Sequence, residues 1–203
     1  MIQRDDPAII LASGSASRRA LMDAAGLRYR AETAHVDEAS IKEGCIAEGI
    51  PAPEAAVILA EAKAERVARK NPEALVIGSD QLLVCGDRWF DKPVGMEGAR
   101  GHLTALRGKT HQLVNGTVIW RRGQRIWQNV STPKLTMRDF SDEFLEAYLA
   151  VEGEAVLASV GAYRMEGPGM HLFSKVEGEY AAILGLAMLP LLGFLRQHGV
   201  LVS

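Results

Sequence analysis

A mixed α/β sheet is the fold class this sequence predicts. Apolar runs of strand character alternate with helical segments through the first half, and strand-like runs then cluster in the second. Alternation followed by clustering argues for strands of both directions in one sheet with helices packed on it. The 203 residues suffice for one substantial domain or two small lobes. No linker, internal repeat or low-complexity segment divides them, so the chain reads as a single domain, 1–203.

Ala8 to Ala12 reads as a buried strand, followed by the small residues 13–17 and a helix, Arg18 to Ala25, closed by Gly26. Leu27 to Thr33 alternates like a strand. Pro51 and Pro53 open a long helix, Glu54 to Lys70, with Val57, Leu59, Ala60, Ala64 and Val67 near one face; Asn71-Pro72 ends it. Ala74 to Val84 is a strand interrupted by Gly78-Ser79-Asp80-Gln81, and Gly86-Asp87-Arg88 is a turn. Gly95 to Leu106 reads as a helix, Thr110 to Trp120 as a strand, residues 121–124 as a hairpin turn and Arg125 to Met137 as the returning strand. Ser141 caps a helix to Val151, with Asp142 and Glu143 in its first turn. Ala158 to Met165 and His171 to Val176 read as strands around Glu166-Gly167-Pro168-Gly169, and an apolar helix, Ile183 to His198, closes the chain.

Composition excludes several classes. A content of 48% hydrophobic and 24% charged residues is that of a globular chain, not a disordered one. A formal net charge of −2 gives no global basic field for a nucleic acid polymer, so any positive site is local. Arg121, Arg122 and Arg125 line a strand edge but lack the aromatic platform of an RNA-binding module. Cys45 and Cys85 form no C-x-x-C motif or metal cluster and read as reduced thiols. The first residues carry no apolar signal-peptide core, and the longest apolar stretch, Ile183 to Leu195, is short for a bilayer and contains Pro190. A cytoplasmic protein with no membrane partner is expected.

Common catalytic motifs are missing. Gly108-Lys109-Thr110 imitates the end of a P-loop, but Leu103 stands where its first glycine belongs, and the segment leaves a helix for a strand, the reverse of a P-loop. No G-x-G-x-x-G follows a strand, and neither H-E-x-x-H nor G-x-S-x-G occurs.

What remains is a charged constellation. Ile9-Ile10-Leu11-Ala12-Ser13 runs into Gly14-Ser15-Ala16-Ser17-Arg18-Arg19, a strand, turn and helix start. The amides and dipole of such a start favour an anion, and Arg18 and Arg19 add donor forks suited to phosphate; alternatively this is a capped helix with two solvated arginines. Asp80 interrupts an apolar strand, where a carboxylate needs a metal, a cation or solvent. Val36-Asp37-Glu38 is a solvated turn by itself; together with Asp80 it could hold a hard divalent cation. Lys63 interrupts an alanine-rich helix face and Lys92 stands at a loop entry, point charges suited to a triphosphate. The set suits metal-assisted attack of water on a phosphoanhydride.

A series of ordered motifs gives this pattern a resemblance over nearly the whole chain to the Maf family of nucleoside triphosphate pyrophosphatases. Leu11-Ala12-Ser13-x-Ser15-x-x-Arg18-Arg19 is similar to the family's L-A-S-x-S-P-R-R, with Ala16 in place of proline. Val36-Asp37-Glu38, Glu61-Ala62-Lys63-Ala64, Ile77-Gly78-Ser79-Asp80-Gln81, Asp91-Lys92-Pro93, Leu106-x-Gly108-Lys109-Thr110-His111 and Gly161-Ala162-Tyr163-x-x-Glu166-Gly167 follow, with Gly178-x-Tyr180 through Gly185-Leu186 after them.

The resemblance implies an elongated mixed sheet flanked by helices, in two lobes with a cleft. It implies hydrolysis between the α and β phosphates, with magnesium or manganese, by a house-cleaning enzyme that forms a homodimer. Asp80 is the implied proton acceptor and a metal contact, and Glu38 a second metal contact. Ser13, Arg18, Arg19, Lys63 and Lys92 are the implied phosphate binders. Base specificity falls to Ser17, Gln81 and Glu166. A branch with threonine after the aspartate and glutamine in the late loop favours dTTP and UTP; Gln81 and Glu166 resemble the branch acting on 7-methyl-GTP. Glu166 could accept hydrogen bonds from guanine N–H groups or attract a cationic methylated purine. The chain departs from the pattern at Ser17, at Ala158-Ser159-Val160-Gly161, where the family has D-K-A-G, and at Leu186-Ala187, where leucine–proline is frequent. The competing expectation is a non-catalytic nucleotide-binding regulator of cell division.

Overall fold

The computed structural model describes residues 2–202. In chain order the elements are β1 (Ile9–Leu11), α1 (Ala16–Ala24), β2 (Arg30–Ala31), α2 (Glu38–Ala47), α3 (Ala52–Ala68), β3 (Leu75–Cys85), β4 (Arg88–Phe90), α4 (Gly95–Leu106), β5 (Thr110–Arg121), β6 (Gln124–Ser131), β7 (Lys134–Met137), α5 (Asp142–Glu152), β8 (Phe173–Glu177), α6 (Tyr180–Ile183) and α7 (Met188–Gln197). Short 3-10 segments lie at Gly153–Ala158 and Pro168–Leu172. The strands form one eight-stranded mixed sheet in the order β2-β1-β3-β5-β7-β8, with β4 paired to β3 and β6 to β5. β1 runs parallel to both β2 and β3, while β4 on β3, β6 and β7 on β5, and β8 on β7 run antiparallel.

The chain groups into two compact units. The first takes the residues up to Gln81, Asn115–Ser131 and those from Tyr180 onward; the second takes Leu82–Val114 and Thr132–Glu179. Strand alternation layers the first unit, because successive side chains point to opposite faces. Ile9, Leu11, Leu75, Ile77 and Ile119 join one core with Met22 of α1 and Leu191, Phe194 and Leu195 of α7. Their neighbours Ile10, Ala12, Val76 and Val118 join another with Val57, Ala60, Ala64 and Val67 of α3. The helix α3 comes very near the sheet. A Cβ on Gly78 would overlap the Ala60 carbonyl, and one on Gly116 would overlap the Ala56 backbone. Small residues on both sides permit that approach.

In the second unit, Ser141 caps α5 by accepting the Phe144 amide at 3.1 Å. His111 is 1% exposed and packs against the rings of Tyr163 and Phe173, its Nε2 2.7 Å from the Tyr163 hydroxyl. Burial pushes its pKa down from 6.5 to about 4. The unfolded chain therefore binds a proton that the folded chain refuses between those values, and stability falls as pH drops through that window. The loss should total about 3 kcal/mol between pH 7 and pH 4. Urea denaturation across that range checks it: His111→Gln should remove most of this slope, and an unchanged slope would contradict the assignment.

Several expectations need correction. Ala158 to Met165 is not a strand: a 3-10 segment ends there and positive φ values at Gly161 (82°) and Ala162 (60°) turn the chain away from extended geometry. The strand expected over Arg125 to Met137 is two strands, β6 and β7, separated by Thr132-Pro133. The terminal helix expected from Ile183 starts only at Met188, as α7; a short helix, α6, ends at Ile183, and Gly185 at φ 102° turns the chain between the two. The helix α2 went unpredicted because its face has little apolar periodicity, and β4 was hidden behind the turn at residues 86–87. The run Leu27 to Thr33 pairs only over Arg30–Ala31, and the strand expected from His171 starts at Phe173 after a 3-10 segment.

Candidate active site

The first unit has a topological switch point. β1 lies between β2 and β3; the chain leaves it through α1 to reach β2 on one side, then crosses from β2 through α2 and α3 to β3 on the other. Ligands in α/β sheets gather outside the carboxyl ends of strands at such a point. Here Ser13 stands two residues past the end of β1, and α1 begins after its cap Ser15, whose hydroxyl accepts the Arg18 amide. No acidic residue occupies the first turn of α1, so its positive end is left for an external anion.

Arg18 is fixed rather than free. Its Nε donates to the Gly185 carbonyl at 2.8 Å and its NH1 to Ser13 Oγ at 3.2 Å. Burial lowers its pKa from the ordinary value, while the charges of Asp80 and Glu38 act to raise it. A guanidinium stays ionised under such opposition.

On the α3 side, Lys63 and Asp80 meet because Gly78 lets α3 lie close and because Asp80 follows it at the alternate position. Lys63 Nζ is 2.6 Å from Asp80 Oδ1 and 3.0 Å from Glu38 Oε1. The Lys63 and Asp80 side chains are 9% and 8% exposed, whereas Glu38 is 49% exposed. Charges so buried are tolerated only when paired. Asp37, the neighbour of Glu38, is taken up as the cap of α2: it accepts the Ser40 amide at 3.1 Å and the Ser40 hydroxyl at 2.8 Å. Those bonds pull its pKa down.

The other face of β3 and β5 carries a polar cluster not foreseen from the sequence. Ser79, Asn115 and Thr117 are each 0% exposed. Asn115 Nδ2 donates to the Gly185 carbonyl at 2.7 Å and to the Asp80 carbonyl at 3.3 Å; Ser79 Oγ donates to the same Gly185 carbonyl at 3.0 Å. A signal for them existed: Asn115 and Thr117 interrupt an apolar strand at every second residue, as Asp80 does.

Of the residues expected at the site, Ser13, Arg18, Glu38, Lys63 and Asp80 come together in the first unit. Gln81 belongs to it too, with Nε2 donating to the Ala182 and Ile183 carbonyls at 2.9 and 3.2 Å. Ser17 is partly exposed in the first turn of α1; Arg19 is exposed, its carbonyl accepting the Tyr29 hydroxyl at 3.1 Å. Lys92 and Glu166 belong to the second unit and are exposed. Glu166 follows Arg164, whose guanidinium grips the Glu152 carboxylate with bonds of 2.7 and 3.3 Å.

Cations at the switch point of a mixed α/β sheet, beside a buried carboxylate, are the arrangement of an α/β protein that handles a phosphorylated ligand. Comparison with known proteins makes the family specific. The model for Maf-like proteins matches residues 8–198, and the chain belongs to this family. A nucleoside triphosphate pyrophosphatase of Granulibacter bethesdensis is 52% identical over 193 residues, 95% of this chain and 98% of its own. One from Rhodospirillum rubrum is 49% identical over 197 residues, 97% and 98% of the two chains. A 7-methyl-GTP pyrophosphatase of Rhizobium etli is 47% identical over 195 residues, 96% and 98%. Among the described residues, no helix is long and apolar enough to cross a membrane.

Proposed function

We propose that this chain is a nucleoside triphosphate pyrophosphatase, cleaving its substrate between the α and β phosphates to a nucleoside monophosphate and pyrophosphate. The observation that carries the reading is the Lys63 ammonium clasped by Asp80 and Glu38, in the unit that also fixes Arg18 and Ser13. Carboxylates at the heart of a site repel phosphate unless a cation stands between them. They suit a site where water must lose a proton. The names of the relatives point to the same reaction.

In this reading the phosphates rest on the first-turn amides of α1, the Ser13 hydroxyl and those N–H groups of Arg18 not engaged by Gly185 and Ser13. Lys63 adds a point charge, as do Arg19 and Lys92, both assigned here by their motifs. Asp80 gives Oδ1 to Lys63, which leaves Oδ2 to accept the proton of the attacking water. The residues also fit a divalent ion. Glu38 and Asp80 are hard oxygen donors that already converge on one cation, and no group of three or more His, Cys, Asp or Glu suited to a metal stands among the described residues. One or two carboxylates completed by substrate phosphates are how magnesium is held, and manganese accepts the same donors. When bound, the ion would neutralise phosphate charge and polarise a phosphoryl oxygen.

The base preference is for 7-methyl-GTP. Support comes from the exposed carboxylate of Glu166 and from relatives of that name at 46–47% identity. Ser17 and Gln81 complete the specificity set; Gln81 acts through the end of α6, whose carbonyls it holds. The test is kcat/KM for 7-methyl-GTP, GTP, dTTP, UTP and CTP with magnesium. The methylated substrate should lead GTP by about 10-fold or more, the low end of the discrimination that one methyl group supplies. Preference for dTTP or UTP would keep the enzyme class and reject this specificity.

A further inference from the structure

We infer that Asn115 and the Gly185 carbonyl form a positioning device for Arg18. This inference rests on the proposed nucleotide site and assigns that site a residue which itself touches no substrate. One backbone oxygen, Gly185 O, accepts three side-chain donors: Asn115 Nδ2 at 2.7 Å, Arg18 Nε at 2.8 Å and Ser79 Oγ at 3.0 Å. A carbonyl has two lone pairs, so three donors are more than a loop oxygen needs for satisfaction. The arrangement instead ties three elements to one point: β3 through Ser79, β5 through Asn115 and α1 through Arg18. The tie continues at the end of α6, where Gln81 holds the Ala182 and Ile183 carbonyls.

The sequence is built for this point. Gly185 has φ 102°, a region that side chains disfavour, and a Cβ there would stand 3.2 Å from Arg18 Nε. Asn115 is itself oriented, because the Thr117 hydroxyl donates to its Oδ1 at 3.3 Å, which turns the amide nitrogen toward Gly185. With Nε fixed to the carbonyl and one NH1 donor on Ser13, the guanidinium plane has one orientation. An arginine already held in place loses little rotamer freedom when a phosphate arrives, and so binds it more tightly. The same Asn115 amide bonds the Asp80 carbonyl, so the β5 side chain touches both the carbonyl that holds Arg18 and the backbone of the carboxylate residue.

If Asn115 acts through Arg18, the two must be coupled energetically, and a double-mutant cycle measures that coupling. The readout is calorimetric affinity, with magnesium, for a nucleoside 5′-(α,β-imido)triphosphate. Asn115→Ala should weaken binding about 10-fold in the otherwise unchanged protein. In an Arg18→Ala background the same change should cost less than about 2-fold. A residue with a merely structural role would give equal losses in both backgrounds, and that additive result would overturn the inference. Thr117→Val, nearly isosteric, runs the same cycle with a smaller loss and decides the matter if Asn115→Ala does not fold. If the unmodified protein binds no analogue, the nucleotide reading itself falls; if it binds and the cycle is additive, only the positioning role of Asn115 falls.

Discussion

Asp80→Asn should lower kcat by about 10²–10⁴-fold, the range lost when a positioned general base is removed. Nucleotide affinity should change far less. Asparagine keeps the shape of the side chain and can still present an oxygen to Lys63, which also retains Glu38 at 3.0 Å. The amide has no basicity, however, so water keeps its proton. Paired measurements of turnover and of analogue binding separate the enzyme from a non-catalytic regulator. Collapse of turnover with binding intact assigns the carboxylate to catalysis; unchanged turnover would remove Asp80 from that role.

Lys63→Met should destabilise the fold by about 3–5 kcal/mol, because it leaves a buried carboxylate without its partner. Asp80 is 8% exposed, and the variant removes the ammonium that lies 2.6 Å from its Oδ1, leaving only the charge of Arg18 to act on it from the other side of the site. Urea unfolding at pH 7 checks this, and adding Asp80→Asn to the variant should restore part of the loss, because it removes the unpaired buried charge. No restoration would mean that the methionine disturbs packing alone.

Much of this was legible in the chain because burial forces patterns. Asp80 stood out as a carboxylate inside an apolar strand, and Lys63 as a cation on an alanine-rich helix face; both follow from the cost of burying charge. Helix α3 was readable from its prolines and its apolar face. Asn115 and Thr117 escaped because an uncharged polar residue in a strand carries a weaker signal, and their partner is a backbone carbonyl that no side-chain motif marks. Asp37 and Glu38 looked equivalent as neighbours, yet one caps α2 and the other meets Lys63, a division that required the unforeseen helix. The residues 158–165 misled because their apolar alternation suits a strand, whereas a left-handed turn at Gly161 and Ala162 directs the backbone. Tyr163 buries its ring beside His111, a long-range pairing that local patterning does not encode.

The central claim is cleavage between the α and β phosphates. Its most direct test is the identity of the products when the purified protein, with magnesium, turns over a nucleoside triphosphate such as 7-methyl-GTP. Nucleoside monophosphate and pyrophosphate in equal amounts are the predicted products, with neither formed at comparable rate by Asp80→Asn. Nucleoside diphosphate with inorganic phosphate, or no product from any triphosphate in the panel, would contradict it.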